Sequence, residues 1–324
     1  MRCDGNVVGV SGHGIQPSFR SNITHHYQLR EEDLADHLIV VPEYKIIFCS
    51  IAKVSSVAFN DLFRSLRAPF DPSMLEGTRF GRIIPFGRNS YASHNWSLQN
   101  LTQAVNDRDW VKAVFYREPL TRFVSAYKEK CERRPPGNRQ LLGWSPLALP
   151  PRPPGSSFCS RIFGQRHPTF TEVVERLQQQ PRIENAHWRP QHEFCGLRNI
   201  IQEFNFVELL DRRTSREKVV ELLSAARVPD LKFMNDTAFN AHFPAAAAGD
   251  PSVAAEPKWH TTNADATVDS YYTRYLACIV FQYYYDDYVL FEMDVPVWAR
   301  QWGFYVDGWE MKDCSTLRDV DVQP

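Results

Sequence analysis

Residues 45–60 read KIIFCSIAKVSSVAFN, and this stretch decides the fold. Residues 45–50 are rich in isoleucine and phenylalanine, which is typical of a parallel strand buried on both faces. The next apolar residues recur at i, i+3, i+4 and i+7, the spacing of the core face of an amphipathic helix: Phe59, Leu62, Phe63 and Leu66. A strand that leads at once into a helix predicts an α/β domain with a parallel sheet flanked by helices.

The turn between this strand and helix carries one lysine and two hydroxyls, Lys53, Ser55 and Ser56. The free N–H groups of a helix start and the positive end of its dipole point into such a turn. With an ammonium and hydroxyls added, the turn favours a phosphate. The Walker pattern GxxxxGK[ST] is absent, so the loop is P-loop-like without being an ordinary nucleotide-hydrolysing loop. An ordinary turn with a surface lysine is the alternative.

Residues 110–127, WVKAVFYREPLTRFVSAY, repeat the strand–helix pattern. Pro119 suits the first turn of the second helix. Arg117 ends the strand, Ser125 lies about two turns into the helix, and Arg122 is a neighbour of Ser125 on one side of it. A guanidinium and a hydroxyl can grip one phosphate together. Open α/β sheets bind ligands at the carboxyl ends of their strands, where both motifs lie.

Both stretches resemble the cofactor motifs of sulfotransferases that use 3′-phosphoadenylyl sulfate (PAPS). Residues 53–60 resemble the 5′-phosphosulfate loop, and residues 117–127 resemble the 3′-phosphate motif nearly residue for residue. The resemblance implies a single domain of the sulfotransferase type that binds PAPS as co-substrate. The implied PAPS-binding residues are Ala52, Lys53, Val54, Ser55, Ser56, Val57, Ala58, Arg117, Arg122 and Ser125.

Within that superfamily the chain is most similar to the Golgi carbohydrate sulfotransferases that modify chondroitin, dermatan, terminal GalNAc and the HNK-1 epitope. The further stretches that carry this likeness are residues 36–40, which precede the first strand, residues 187–191 with Cys195, which precede a third strand at 204–210, and residues 260–263 and 283–291. Ala52 stands where that family usually has proline, and residues 58–60 replace its usual Asn-Trp-Lys. The usual second cysteine near Cys195 is missing. The departures bear on the acceptor and on the disulfide pattern.

Sulfuryl transfer needs in-line positioning, positive charge at the developing negative charge, and a base for the acceptor hydroxyl. Lys53 suits the charge role. His94 is the candidate base, because imidazole suits this work near pH 7 and its place resembles that of a family histidine. His187 is the second candidate, with a structural role or a place in the acceptor wall as its alternative. Asp211, after the third strand, is a further candidate.

Length and composition favour one large domain with a full core, since the chain has 324 residues of which 43% are hydrophobic. A net charge of −1 argues against a nucleic-acid binder. Residues 117–166 hold ten Lys and Arg against three Glu. This segment is either a solvated loop or a surface that receives an anionic acceptor such as an acidic glycan.

We expect a loosely ordered arm over residues 1–35, a sulfotransferase domain over 36–300 and a tail over 301–324. Within the domain, residues 134–157 are rich in Pro, Gly and Arg and predict a long surface loop. No run of 18 apolar residues occurs, so we predict no transmembrane segment in this chain. The family resemblance implies the Golgi lumen, where the acceptors for N-glycosylation at Asn22, Asn95, Asn100 and Asn235 would make this a glycoprotein.

Seven cysteines allow up to three disulfides with one cysteine left over. Cys49 and Cys278 lie in apolar runs and are expected to be buried thiols. Cys131, Cys159 and Cys195 are the expected bridge formers. No His/Cys cluster has the spacing of zinc ligands, so no metal site is predicted.

Two other functions remain open on the sequence. One is a phosphotransferase of the P-loop kinase type, which shares the strand–loop–helix arrangement. The other is a catalytically silent relative that binds PAPS or a glycan without turnover.

Overall fold

The structure is a computed structural model that describes residues 37–72, 96–132, 158–180, 183, 185–211, 214–229, 237–243, 264–302 and 313–318. The predicted arm over residues 1–35, the loop over 134–157 and the candidate base His94 lie outside the described residues. So do residues 260–263 and most of the predicted tail.

The described part of the chain forms one four-stranded sheet in the order β1-β2-β3-β4. Its strands are β1 (Leu38–Val41), β2 (Ile46–Cys49), β3 (Val111–Tyr116) and β4 (Phe206–Leu209). β2, β3 and β4 are parallel, as the sequence predicts, and their carboxyl ends therefore meet at one edge. β1 was not predicted as a strand. It pairs antiparallel with β2, so the sheet is mixed, because a short connection through residues 42–45 can only return the chain in the opposite direction.

The helices pack around this sheet. They are α1 (Ser56–Arg67), α2 (Leu98–Asn106), α3 (Pro119–Lys130), α4 (Phe158–Phe163), α5 (Phe170–Gln179), α6 (Leu197–Ile200), α7 (Ser215–Ala225), α8 (Thr237–His242), α9 (Arg274–Tyr283), α10 (Tyr285–Leu290) and α11 (Val297–Arg300). Short 3₁₀ helices cover Pro42–Tyr44, Gln191–Glu193, Ile201–Glu203, Val268–Tyr271 and Cys314–Leu317. Among the described helices none is both long enough and apolar enough to cross a membrane.

Aromatic side chains from β2, β3 and α1 form the centre of the core next to the site. The ring of Phe59 lies 4.6 Å from that of Phe48 and 4.8 Å from that of Phe115, centroid to centroid. All three are almost fully buried, and burying one such side chain contributes about 1.5–3 kcal/mol. The predicted core face of α1 is confirmed, and this packing fixes the direction in which α1 leaves the sheet.

Three disulfides connect distant parts of the chain, Cys49–Cys195, Cys131–Cys159 and Cys278–Cys314. The expectation that Cys131, Cys159 and Cys195 form bridges is confirmed. The expectation that Cys49 and Cys278 are thiols is wrong. An apolar environment suits a buried disulfide as well as a buried thiol, and the partners lie 146 and 36 residues away, beyond what local sequence indicates.

Candidate active site

The loop between β2 and α1 has an unusual backbone. Lys53 (φ 69°) and Ser55 (φ 47°) are left-handed, and they are two of the six described non-glycine residues with positive φ. The N–H of Val54 donates to the carbonyl of Ile51 at 3.2 Å, which closes a tight turn before the helix starts at Ser56. Turns of this kind aim successive N–H groups at one point and form anion-binding concavities. Strained backbone also concentrates at functional loops.

The second strand–helix unit starts as predicted, with Arg117 after β3 and Pro119 as the first residue of α3. Glu118 caps this helix, because its carboxylate accepts from the N–H groups of Leu120 at 2.9 Å and Thr121 at 2.7 Å. The hydroxyl of Tyr288 donates to the same carboxylate at 2.5 Å. Glu118 thus occupies the start of α3, so an anion at this unit must be held by side chains. This cap was not predicted, although an acidic residue directly before a first-turn proline is a signal for it.

Two arginines join the second unit to the first. Arg122 Nε donates to the carbonyl of Ala52 at 2.9 Å, and Arg117 Nη1 donates to the carbonyl of Lys53 at 3.4 Å. Arg122 is fully buried, also donates to the carbonyl of Ala186 at 3.2 Å, and lies beside aromatic rings. In the structure this guanidinium binds backbone carbonyls and so stabilises the loop. Its contact with a phosphate stays a prediction.

Lys53 is held by a carboxylate from α3. Its ammonium pairs with Glu129, whose other oxygen lies 2.5 Å from Lys130 Nζ. Burial lowers the pKa of Lys53, and the attraction of Glu129 only partly offsets that effect. Burial raises the pKa of Glu129, but the charges of Lys53 and Lys130 outweigh it and hold that pKa well below its usual range. The two groups form an ion pair in a largely enclosed setting. No local sequence pattern indicates this role of Glu129.

A buried amide fixes the end of β3. Gln191 accepts from the N–H of Arg117 at 2.9 Å and donates to its carbonyl at 2.8 Å. The N–H of Gln191 donates to the carboxylate of Asp287 at 2.8 Å, and both side chains are fully buried. The guanidinium of Arg117 donates to the carboxylate of Asp265 at 2.7 Å. Helix α10 therefore helps to set the position of Arg117, a role that only the three-dimensional pairing reveals.

His187 lies close enough to the charged cluster for Lys130, Glu129 and Lys53 to act on it. Its Nδ1 lies 2.9 Å from the side-chain oxygen of Asn185. Burial, followed by the nearby positive charges, lowers the pKa of His187 to about 3, so the ring is neutral near pH 7.

The remaining predicted residues occupy four settings. Ser125 is buried on α3, and Asp211 is exposed after β4. Ala52 and Val54 are buried within the loop. The residues of the first turn of α1 are Ser56, Val57 and Ala58. The structure thus brings Lys53, Arg117, Arg122 and His187 to one edge of the sheet.

This arrangement can bind an anionic ligand at both strand ends, and it places a neutral imidazole beside them. Within the described ranges, no group of three or more His, Cys, Asp or Glu residues could hold a metal ion. The described side chains can supply charge stabilisation and proton transfer.

The chain resembles known proteins over most of its length. A model of the sulfotransferase family matches residues 36–294, which include both strand–helix units. The chain is 22% identical over 237 residues to "Putative sulfotransferase vep-2" of Caenorhabditis elegans, and the match covers 69% of this chain and 70% of that protein. No solved structure matches the chain.

Proposed function

The chain belongs to the sulfotransferase family, and from this premise we propose that it transfers a sulfuryl group from PAPS to a hydroxyl of a carbohydrate. The observation that carries the proposal is the pair of arginine contacts between the units, Arg122 to Ala52 and Arg117 to Lys53. They bring the loop that suits a 5′-phosphosulfate and the helix that suits a 3′-phosphate to the same edge. A ligand with an anionic group at each end would contact both units, so it fits this arrangement better than a ligand with a single anionic group.

The proposed roles follow from the position of each group. Lys53 and the N–H groups at Ser55 and Ser56 would hold the 5′-phosphosulfate, and Arg117 with Ser125 would hold the 3′-phosphate. The acceptor oxygen attacks sulfur as the sulfur–oxygen bond to the 5′-phosphate breaks, and PAP leaves with the bonding electrons. Lys53 then offsets the charge that develops on the leaving phosphate. The proton of the acceptor hydroxyl goes to a base.

The base is His94 in our proposal, with His187 as the alternative. His94 lies outside the described residues, and its support is its place in the sequence between the two motifs. His187 has the support of proximity, since it lies within the electrostatic reach of Lys53. Its lowered pKa makes it a weak base until negative charge from a donor arrives to offset the lysines.

An oxidising compartment such as the Golgi lumen is the proposed location. Disulfides form and persist in such compartments, and six of the seven cysteines are paired in the structure. Asn100, one of the four possible glycosylation sites, is exposed near the start of α2. Both observations support the proposal of a lumenal glycoprotein whose acceptor is a glycan. The excess of Lys and Arg over Glu in residues 117–166 supports an acidic glycan as the acceptor.

Transfer of radiolabelled sulfate from PAPS to a panel of neutral, uronic-acid-containing and GalNAc-terminated glycans tests the proposal. We expect labelling of at least one glycan, and loss of that labelling in Lys53→Ala. Tight binding of PAP without transfer to any acceptor would instead indicate a silent relative. Transfer of phosphate from ATP in place of sulfate would indicate a phosphotransferase.

A further inference from the structure

Glu129 lies between two lysines at the C-terminal end of α3. One carboxylate oxygen contacts Lys53 and the other contacts Lys130, and at least three-quarters of each of the three side chains is shielded from solvent. The C-terminal end of a helix disfavours a negative charge. The two ammonium groups, and not the helix, therefore stabilise this carboxylate.

The contact matters because Lys53 is the cation assigned to the donor. Its side chain is only 8% exposed, and an enclosed ammonium without a partner is costly. The protein without a ligand thus needs an anion at this place. The 5′-phosphosulfate of a donor would bring an anion of its own to the same ammonium.

We propose that Glu129 is an internal counter-ion that holds Lys53 in the unliganded enzyme and is displaced from it by the 5′ anion of the donor. This inference rests on the proposed function. The two oxygens of Glu129 have different partners, so the carboxylate keeps Lys130 when it gives up Lys53. The exchange therefore leaves no enclosed charge without a partner. It also selects for donors, since a nucleotide without a 5′ anion has nothing to offer Lys53 in place of Glu129.

Calorimetry with three nucleotides tests the proposal on wild type and Glu129→Gln. PAP and adenosine 5′-phosphosulfate carry a 5′ anion, whereas adenosine 3′-monophosphate does not. Because the amide no longer competes for Lys53, we expect Glu129→Gln to bind the first two roughly tenfold to a hundredfold more tightly. Its affinity for adenosine 3′-monophosphate should stay at the wild-type value.

Glu132→Gln is the matched control. Glu132 lies just beyond the end of α3 and accepts a hydrogen bond from the hydroxyl of Tyr271, so the substitution removes the same charge nearby without touching either lysine contact. We expect wild-type affinities for all three nucleotides. If Glu129→Gln gains equal affinity for all three nucleotides, the effect is one of net charge and the proposal is overturned. Unchanged or weaker binding of PAP would overturn it too.

A second variant covers the case in which Glu129→Gln does not unfold cooperatively. Glu129→Asp keeps the charge and shortens its reach by one methylene, so we expect a smaller gain with the same preference for nucleotides that carry a 5′ anion. No gain for PAP in this variant would overturn the proposal. If wild type binds PAP and the Glu129 substitutions do not change that binding, only the counter-ion proposal is overturned. If wild type does not bind PAP, the proposed function is overturned as well.

Discussion

At the scale of single residues, Lys53 has the most to do in the proposed chemistry. Its left-handed backbone places it in the turn, and its ammonium already has a carboxylate partner. We expect Lys53→Ala to lower the rate constant by roughly 10²–10³ while PAP still binds, because the charge acts mainly on the transition state.

Single-turnover sulfate transfer measured beside PAP calorimetry checks this. Lys45→Ala is the control, since Lys45 is an exposed lysine paired with Asp109 away from the loop. We expect it to keep the wild-type rate. A rate for Lys53→Ala within about threefold of wild type would remove Lys53 from the mechanism.

His187 gives a prediction about pH. In the free protein its ring should not titrate above about pH 5, because burial and the lysines lower its pKa to about 3. Since the unfolded chain binds this proton near its ordinary pKa of 6.5, the contribution of His187 to stability is present above that pH and is lost as the pH falls towards 3. PAP should raise the pKa by offsetting the lysines.

An NMR titration of the His187 ring with and without PAP makes the measurement. His187→Gln should flatten the acid side of the unfolding free energy against pH, because the amide does not titrate. A midpoint near 6.5 in the free protein would contradict the predicted environment.

Residue patterns predicted part of this site and missed the rest for a physical reason. Lys53 and Arg117 were identifiable because each stands where a buried strand turns into a helix, which is a local signal. Glu129, Gln191 and Asp287 act through contacts across 74 to 96 residues, and no local pattern encodes such partners. Burial of Arg122 was also unforeseen, since spacing on a helix does not tell which neighbours cover it.

At the scale of elements, the cap of α3 should affect ligand binding as well as stability. Glu118→Ala removes two helix-start hydrogen bonds and leaves Tyr288 without its acceptor, so we expect a loss of about 0.5–2 kcal/mol in the free energy of unfolding. PAP should also bind more weakly, because α3 carries Ser125.

Thr169→Ala is the matched control, since Thr169 caps α5 through its own capping box. Urea unfolding and PAP calorimetry on both variants should show a similar loss of stability but a loss of affinity in Glu118→Ala alone. Equal affinity in the two variants would mean that the start of α3 does not set the ligand geometry.

The β3–α3 unit should recognise the 3′-phosphate. We expect Arg117→Ala or Ser125→Ala to weaken PAP binding by about 1.5–3 kcal/mol, roughly tenfold to a hundredfold, because a charge-assisted hydrogen bond is lost. Adenosine 5′-phosphosulfate, which lacks the 3′-phosphate, should lose much less. Calorimetry that shows equal losses for both nucleotides would place the 3′-phosphate elsewhere.

At the scale of the whole molecule, the disulfides should separate stability from binding. Replacing both cysteines of Cys49–Cys195 or of Cys278–Cys314 by serine should cost about 2–5 kcal/mol in each case. Only the first pair should also weaken PAP binding, because Cys49 ends β2 immediately before the loop. Thermal unfolding and PAP calorimetry on the two double variants decide this, and matching affinities would contradict it.

The parallel strands and their helices were predictable because each has its own periodic core face. The antiparallel β1 was not, since four apolar residues before a strand carry no information about pairing direction. The disulfide partners could not be predicted for the same reason as the ion pairs. In each case a local sequence pattern does not show which distant segment the residue contacts.

The two arginine contacts that join the units also bear on how the protein folds. The two residues of each contact lie 64 and 70 residues apart in the chain, so the site between the units cannot form until long loops have closed, whereas the β1–β2 hairpin needs only a short loop. The hairpin is therefore available early, and the site is completed among the last steps. A nucleotide that needs both arginines in place would bind only finished molecules, and it would draw the folding equilibrium towards them by mass action.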